Sequence, residues 1–208
     1  MLNIVVLVSG GGTNLGALLK AQEEGRIQNG KISLVISSKP TAYALERAKS
    51  YGVPTKVVDR KAIGDPVAFD EQIYQALKEA NADLIVLAGF MYILSSKITS
   101  EYANQILNVH PSLIPSFCGP GFYGLRVHQA ALDYGVKLTG ATVHFVNEVA
   151  DGGPILLQKS VAIENGDTPE ILQKRVMEQA EWLLLPQAVS LFCEGRIQII
   201  DGKAVVND

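Results

Sequence analysis

Apolar residues recur along this chain with two different periods, and the places where one period gives way to the other define its elements. Leu2–Val8 is an unbroken apolar and β-branched run, the pattern of a strand buried on both faces of a parallel sheet. After a glycine-rich break, Leu15, Leu18 and Leu19 take the spacing of one helix face. The exchange then repeats. Lys31–Ser37 predicts a second strand, the stretch from Thr41 to Tyr51 a helix ended by Gly52, and Pro54–Val58 a third, short strand. A helix follows over Asp65–Ala80, with Phe69, Ile73 and Leu77 along one side, and then a fourth strand, Asp83–Leu87. Strands alternating with helices predict parallel βαβ units, hence an α/β protein with a Rossmann-like open sheet and helices on both faces.

The second half patterns differently. Ile106–His110 is an apolar run carrying Asn108 and His110, and Pro111 has no N–H for a ladder, so His110 is expected at the sheet rim. A Gly- and Pro-dense loop, Pro115–Gly124, leads to a helix with His128, Ala131 and Leu132, where His128 reads as a packing residue. Lys137–Val146 alternates, with Leu138, Gly140, Thr142, His144 and Val146 on one side. Ile155–Ile163 returns after a turn at Asn147–Pro154, which predicts an antiparallel hairpin at the end of the sheet. Asp167 is expected to cap a long helix, Thr168–Cys193, bent or interrupted at Pro186. The tail from Arg196 to Val206 reads as a two-stranded ribbon turning at Asp201-Gly202.

Composition narrows the function classes. The 208 residues, 48% hydrophobic and 19% charged, suit one large domain with a sizeable core. A net charge of −3 offers no basic footprint for nucleic acid or an anionic membrane. No apolar run approaches the ~18 residues of a membrane span, and the start lacks a basic n-region, so a cytoplasmic protein is expected. Cys118 and Cys193 form no CxxC pair and read as reduced thiols, and no metal-ligand spacing is present.

Candidate chemistry sits at the strand ends. Strand, Ser9–Asn14 glycine loop and helix form the geometry that turns backbone N–H groups and a positive helix end toward a phosphate. The loop has neither a Gly-Lys-Ser/Thr run nor the third glycine of a dinucleotide fingerprint, so a compact phosphomonoester fits it better than ATP or NAD. Ala88–Leu94 is unusually apolar for a rim loop and could line a pocket for a flat ring system. Asn108 and His110, two apart, share a strand face. Each feature has a plainer reading by itself: a tight turn, core packing, a hydrogen-bonded core histidine, and for Asp151 a turn aspartate before two glycines.

Together, SGGGTNL, AGFMYIL, NVHPSLIPSF and GATVHFVNEVADGGPILLQ resemble, in order and over nearly the whole chain, the formyl transferases that use 10-formyltetrahydrofolate. The likeness is greatest to the branch acting on phosphoribosylglycinamide in purine synthesis. The resemblance implies one formyl transferase domain over 1–208, with 1–105 as a phosphate-binding half and 106–208 as a catalytic and folate-binding half. It implies a catalytic trio of Asn108, His110 and Asp151, and a ribonucleotide site at Gly11, Gly12, Thr13, Asn14, Gly89, Pro111 and Glu181. It further implies a folate pocket at Met91, Tyr92, Ile93, Leu94, Val146, Asn147, Ala150 and Asp151. The co-substrate would be 10-formyltetrahydrofolate, without a metal, and the protein a monomer or weak homodimer with small-molecule substrates only.

The residue types suit that chemistry. When an amine attacks the formyl carbon, Asn108 N–H₂ and a protonated or donating His110 can serve the oxygen. Asp151 would stabilise the imidazolium and accept the amine proton, and Thr142 would hold a water. The chain departs from the family pattern at Tyr92, at Asp65-Pro66-Val67, in a longer Phe117–Gly124 loop, and in one extra residue after Arg175. Three alternatives are weighed beside this reading. Methionyl-tRNA formyl transferases carry a C-terminal RNA-binding domain and formyltetrahydrofolate hydrolases an N-terminal regulatory one. This chain is expected to carry neither, since it starts at its first strand and ends soon after the core. A non-catalytic phosphosugar-binding module would explain the glycine loop, but it gives no reason for Asn108, His110 and Asp151 together.

Overall fold

A computed structural model describes residues 1–207. Its centre is β1 (Leu2–Val8), whose side chains alternate between two cores. Ile4, Val6 and Val8 enter one face with helices α1 (Thr13–Glu23) and α2 (Ala44–Ser50); Val5 and Leu7 enter the other with Phe69, Ile73 and Leu77. β1 pairs in parallel with both β2 (Gly30–Ser37) and β4 (Leu84–Leu87), and β3 (Thr55–Val57) lies outside β2. Beyond β4 come β5 (Ile106–His110), parallel, and then β6 (Leu138–Phe145) and β7 (Ile155–Ala162), antiparallel. The order β3-β2-β1-β4-β5-β6-β7 is the predicted Rossmann-like open sheet with antiparallel C-terminal strands. The chain changes direction across the sheet between β1 and β4, which opens a crevice at their C-terminal ends.

Two short helices escape prediction, α3 (Arg60–Ile63) and α5 (Ser96–Glu101), because so few residues carry no readable period. Asp59 starts α3 by accepting from Lys61 N at 2.9 Å and Ala62 N at 3.2 Å. Asp65 caps α4 (Pro66–Glu79) in the same way, with Pro66 in the first turn where its missing N–H costs nothing. After the loop that follows β5, α6 (Leu125–Tyr134) buries Val127, His128 and Ala131.

The C-terminal helix departs from expectation twice. Thr168, not Asp167, is its cap, accepting from Ile171 N at 3.4 Å; the Asp167 carboxylate is taken instead by the Arg175 guanidinium at 2.6 and 2.7 Å. Pro186 does not interrupt the helix: α8 (Trp182–Cys193) runs through it. The irregularity comes earlier, as a π turn over Met177–Glu181 between α7 (Pro169–Val176) and α8. A widened turn of this kind accommodates one more residue than an α-helical turn while both flanking segments keep their buried faces. The tail forms the expected ribbon of β8 (Ile197–Ile200) and β9 (Lys203–Val206). Among the described residues no helix is long and apolar enough to cross a membrane.

Candidate active site

The glycine loop is shaped by what lies behind it. Gly12 caps α1 in the left-handed conformation, φ 68°, and a Cβ there would come within 2.6 Å of Ala44 Cβ. At Gly10 and Gly11 an added Cβ meets nothing within 4 Å, so the loop presents bare backbone to open space. Ser9 ties this loop across the crevice, with its hydroxyl 2.7 Å from Ser38 Oγ and accepting from Met91 N at 3.0 Å. Behind the loop, Asn14 donates to Glu181 Oε2 at 2.7 Å, and the Thr13 hydroxyl lies 3.7 Å from Met177 Sδ. The two ends of the π turn therefore meet the first turn of α1. Burial pushes the Glu181 carboxyl up to about 7, against the pull of the Asn14 hydrogen bond. Asn14 Oδ1 is buried and has no partner among the described residues.

Across the crevice, strand register assembles a second group. β5 and β6 place Asn108 opposite His144 and His110 opposite Thr142. Asn108 Nδ2 is 3.1 Å from His144 Nε2 and 3.5 Å from Asp151 Oδ1. His110 Nδ1 is 3.5 Å from Asp151 Oδ2, and His144 Nε2 is 3.5 Å from Asp151 Oδ1. Thus Asn108, His110 and Asp151 are brought together, with His144, which sequence reasoning left out, as a fourth member. The signal was present in the β6 alternation, where His144 shares a face with Thr142.

The loop after β5 closes over this group. The Phe117 carbonyl accepts from His110 Nε2 at 2.9 Å, and Gly119 N donates to Asp151 Oδ2 at 2.8 Å. Burial lowers the His110 pKa below the usual histidine value, only partly offset by the Phe117 carbonyl and Asp151. His110 Nε2 carries a hydrogen, since the Phe117 carbonyl can only accept. Burial also pushes Asp151 up, but hydrogen bonds to its oxygens, among them that from Gly119 N, outweigh it and hold the carboxyl below the usual range. The expectation for Thr142 is corrected. Its buried hydroxyl donates to Ser112 O at 2.7 Å and accepts from Ile114 N at 3.1 Å and Gln158 Nε2 at 3.0 Å, so it has no bond left for a water.

A cavity of about 590 Å³ opens beside Asn108, His110 and Asp151. Met91, Tyr92, Ile93, Leu94, Val146, Asn147 and Ala150 all line it, as do Gly89 and Pro111. Gly11, Gly12, Thr13, Asn14 and Glu181 lie outside that lining and form the neighbouring group at the glycine loop. Ile93 and Met91 are 79% and 48% exposed, an apolar mouth that a ligand would cover. His128 is buried on the inner face of α6 and is not part of the lining. Among the described residues no group of His, Cys, Asp and Glu could hold a metal ion.

Glycine loop, asparagine–histidine strand end and aspartate turn, arranged around one crevice of this sheet, define a formyl transferase: residues 2–189 match the Formyl transferase family, and the chain belongs to it. It is 42% identical over 211 residues to the phosphoribosylglycinamide formyltransferase of Haemophilus influenzae, across 99% of this chain and 96% of that protein. It is 41% identical over 196 residues to the trifunctional purine biosynthetic protein adenosine-3 of Gallus gallus, across 94% of this chain, which spans only 19% of that relative. The crystal structure of glycinamide ribonucleotide transformylase 1 from Symbiobacterium toebii matches it with a TM-score of 0.93 and 41% identity, over 100% of this chain and 95% of that one.

Proposed function

We propose that the protein transfers the formyl group of 10-formyltetrahydrofolate to the primary amine of 5′-phosphoribosylglycinamide, a step of purine biosynthesis. The observation that carries this is the convergence of Asn108, His110 and Asp151 where the apolar cavity meets the crevice beside the glycine loop. A cavity of about 590 Å³ is within the usual ~300–1,000 Å³ of small-molecule sites, and its apolar lining suits the flat folate ring. The phosphate of the ribonucleotide is assigned to the backbone of Gly11–Asn14, and its hydroxyl and amide donors to Glu181, with Gly89 and Pro111 between the two substrates.

In this reading the amine nitrogen attacks the formyl carbon, and negative charge grows on the formyl oxygen. His110 Nε2–H turns from the Phe117 carbonyl to that oxygen, and the Asn108 amide supplies the second donor. One such donor is typically worth ~2.7–4 kcal/mol of barrier. Asp151, kept ionised, takes the amine proton directly or through water and returns it to the departing folate nitrogen as the C–N bond breaks. No metal takes part in this reading. It also holds that the protein acts in the cytoplasm as a monomer or weak homodimer.

The test mixes the purified protein with both substrates while folate absorbance is followed. Turnover that requires the ribonucleotide is expected; formate release without it would mark a hydrolase, and binding without turnover a phosphosugar module. Asp151 sits at φ 54°, which Asn tolerates well, so Asp151→Asn removes the charge alone. Formyl transfer by D151N at the wild-type rate across pH would refute the proton relay.

A further inference from the structure

We propose that Arg47 is a positioning residue that aims the N–H groups of the glycine loop at the substrate phosphate, an assignment that rests on the functional reading above. A trans peptide plane points its carbonyl and its N–H in opposite directions, so whatever holds a carbonyl also aims the next residue's amide. Two successive carbonyls of the loop are held by one helix, α2. Gly10 O accepts from Ala44 N at 3.1 Å, and Gly11 O accepts from Arg47 Nε at 2.9 Å. The N–H groups of Gly11 and Gly12 are thereby turned away from α2, and neither has an acceptor among the described residues. With Gly12 in the left-handed conformation, these successive amides form the kind of concavity that an anion fills.

The first of the two contacts is backbone to backbone; the second depends on one side chain. Its guanidinium carbon lies 5.1 Å from the ring centroid of Tyr43, and a Cβ built on Gly16 would stand 3.4 Å from Nη1. The guanidinium therefore rests on Tyr43 and over the bare backbone of α1 at Gly16, which fixes the direction of Nε. Its charge is also uncompensated. Glu46, the neighbouring acid, pairs with Lys49 at 3.0 Å, and among the described residues no carboxylate lies within ion-pair distance of Arg47. A cation donating to the Gly11 carbonyl polarises the peptide unit whose other end is the Gly12 N–H, and so strengthens that amide as a donor to phosphate.

The experiment compares wild type, R47M and R47K. Methionine keeps an apolar stem against Tyr43 and Gly16 but removes donor and charge, and lysine keeps both. R47M is expected to raise the ribonucleotide KM about tenfold, the scale of one charge-assisted hydrogen bond, with kcat and the folate KM unmoved. R47K recovers most of that loss, and calorimetric affinity for ribose 5-phosphate falls in R47M by the same factor as the KM rises. An unchanged ribonucleotide KM in R47M overturns the proposal. So does a loss in kcat alone or an equal loss in R47K, either of which marks Arg47 as a packing joint between α1 and α2. If wild type binds ribose 5-phosphate but transfers no formyl group, the functional reading fails, and the calorimetric comparison decides Arg47 separately: equal affinities of wild type and R47M overturn its role. Absence of ribose 5-phosphate binding by wild type overturns the phosphate site and the role of Arg47 with it.

Discussion

Asn108 and His144 face each other across the β5–β6 pair, with Nδ2 of one 3.1 Å from Nε2 of the other. His144 Nδ1 lies 2.8 Å from the Phe145 carbonyl, so that nitrogen carries the hydrogen and Nε2 is the acceptor. Together with Asp151 Oδ1, it decides which end of the Asn108 amide is the nitrogen. His144→Phe is expected to lower kcat about tenfold by freeing that amide to flip, a loss of roughly one hydrogen bond. Folate KM should stay at the wild-type value; a rise in KM without a change in kcat would contradict this positioning role.

Glu181 offers a separation of stability from binding. Its folded-state pKa, about 7, lies above its ordinary 4.5, so the unfolded chain releases the proton first as pH rises. Stability is lost from about pH 4.5 up to about 7 and then levels off, with ~3 kcal/mol as the upper bound by linkage. Glu181→Gln keeps the shape and removes the titration. It is expected to unfold at higher urea than wild type near pH 8, with a smaller difference near pH 5, while its ribonucleotide KM rises.

Gly12→Ala tests whether the loop is held open from behind. The left-handed backbone alone costs ~1–2 kcal/mol for alanine, and the new methyl would also press on Ala44. Loss of about 2 kcal/mol or more in denaturant melts is expected, with a raised ribonucleotide KM and a folate KM near wild type. A wild-type ribonucleotide KM would separate the loop from that substrate.

His128 governs acid sensitivity without touching the cavity. It is fully buried, neither ring nitrogen has a partner among the described residues, and burial, helped by the charge of His110, lowers its pKa to about 4. The unfolded chain binds this proton near its ordinary 6.5, so stability falls as pH drops from about 6.5 to about 4, by ~2 kcal/mol at pH 5. In His128→Leu the stability difference between about pH 7.5 and 5 should shrink by that amount, as read from urea midpoints.

Much of the fold was legible because burial leaves a local mark. The run from Leu2 to Val8 announces a strand covered on both faces, and Phe69, Ile73 and Leu77 announce one helix face, since each pattern is the period at which side chains meet the core. α3 and α5 were missed because one or two turns hold too few residues for a period, and Asp167 was misread as a cap because Arg175, eight residues on, claims its carboxylate.

For the site, the chain by itself determined that Asn108 and His110 share a face at a strand end, and that a glycine loop follows the first strand; both are consequences of local backbone geometry. Only the tertiary structure decided what those residues meet. The β5–β6 register sets His144 against Asn108 and fills every bond of Thr142. The loop after β5 covers His110, and burial lowers its pKa, while the π turn carries Glu181 to Asn14. Strand pairing, loop closure and desolvation depend on residues distant in sequence, and no local period records them.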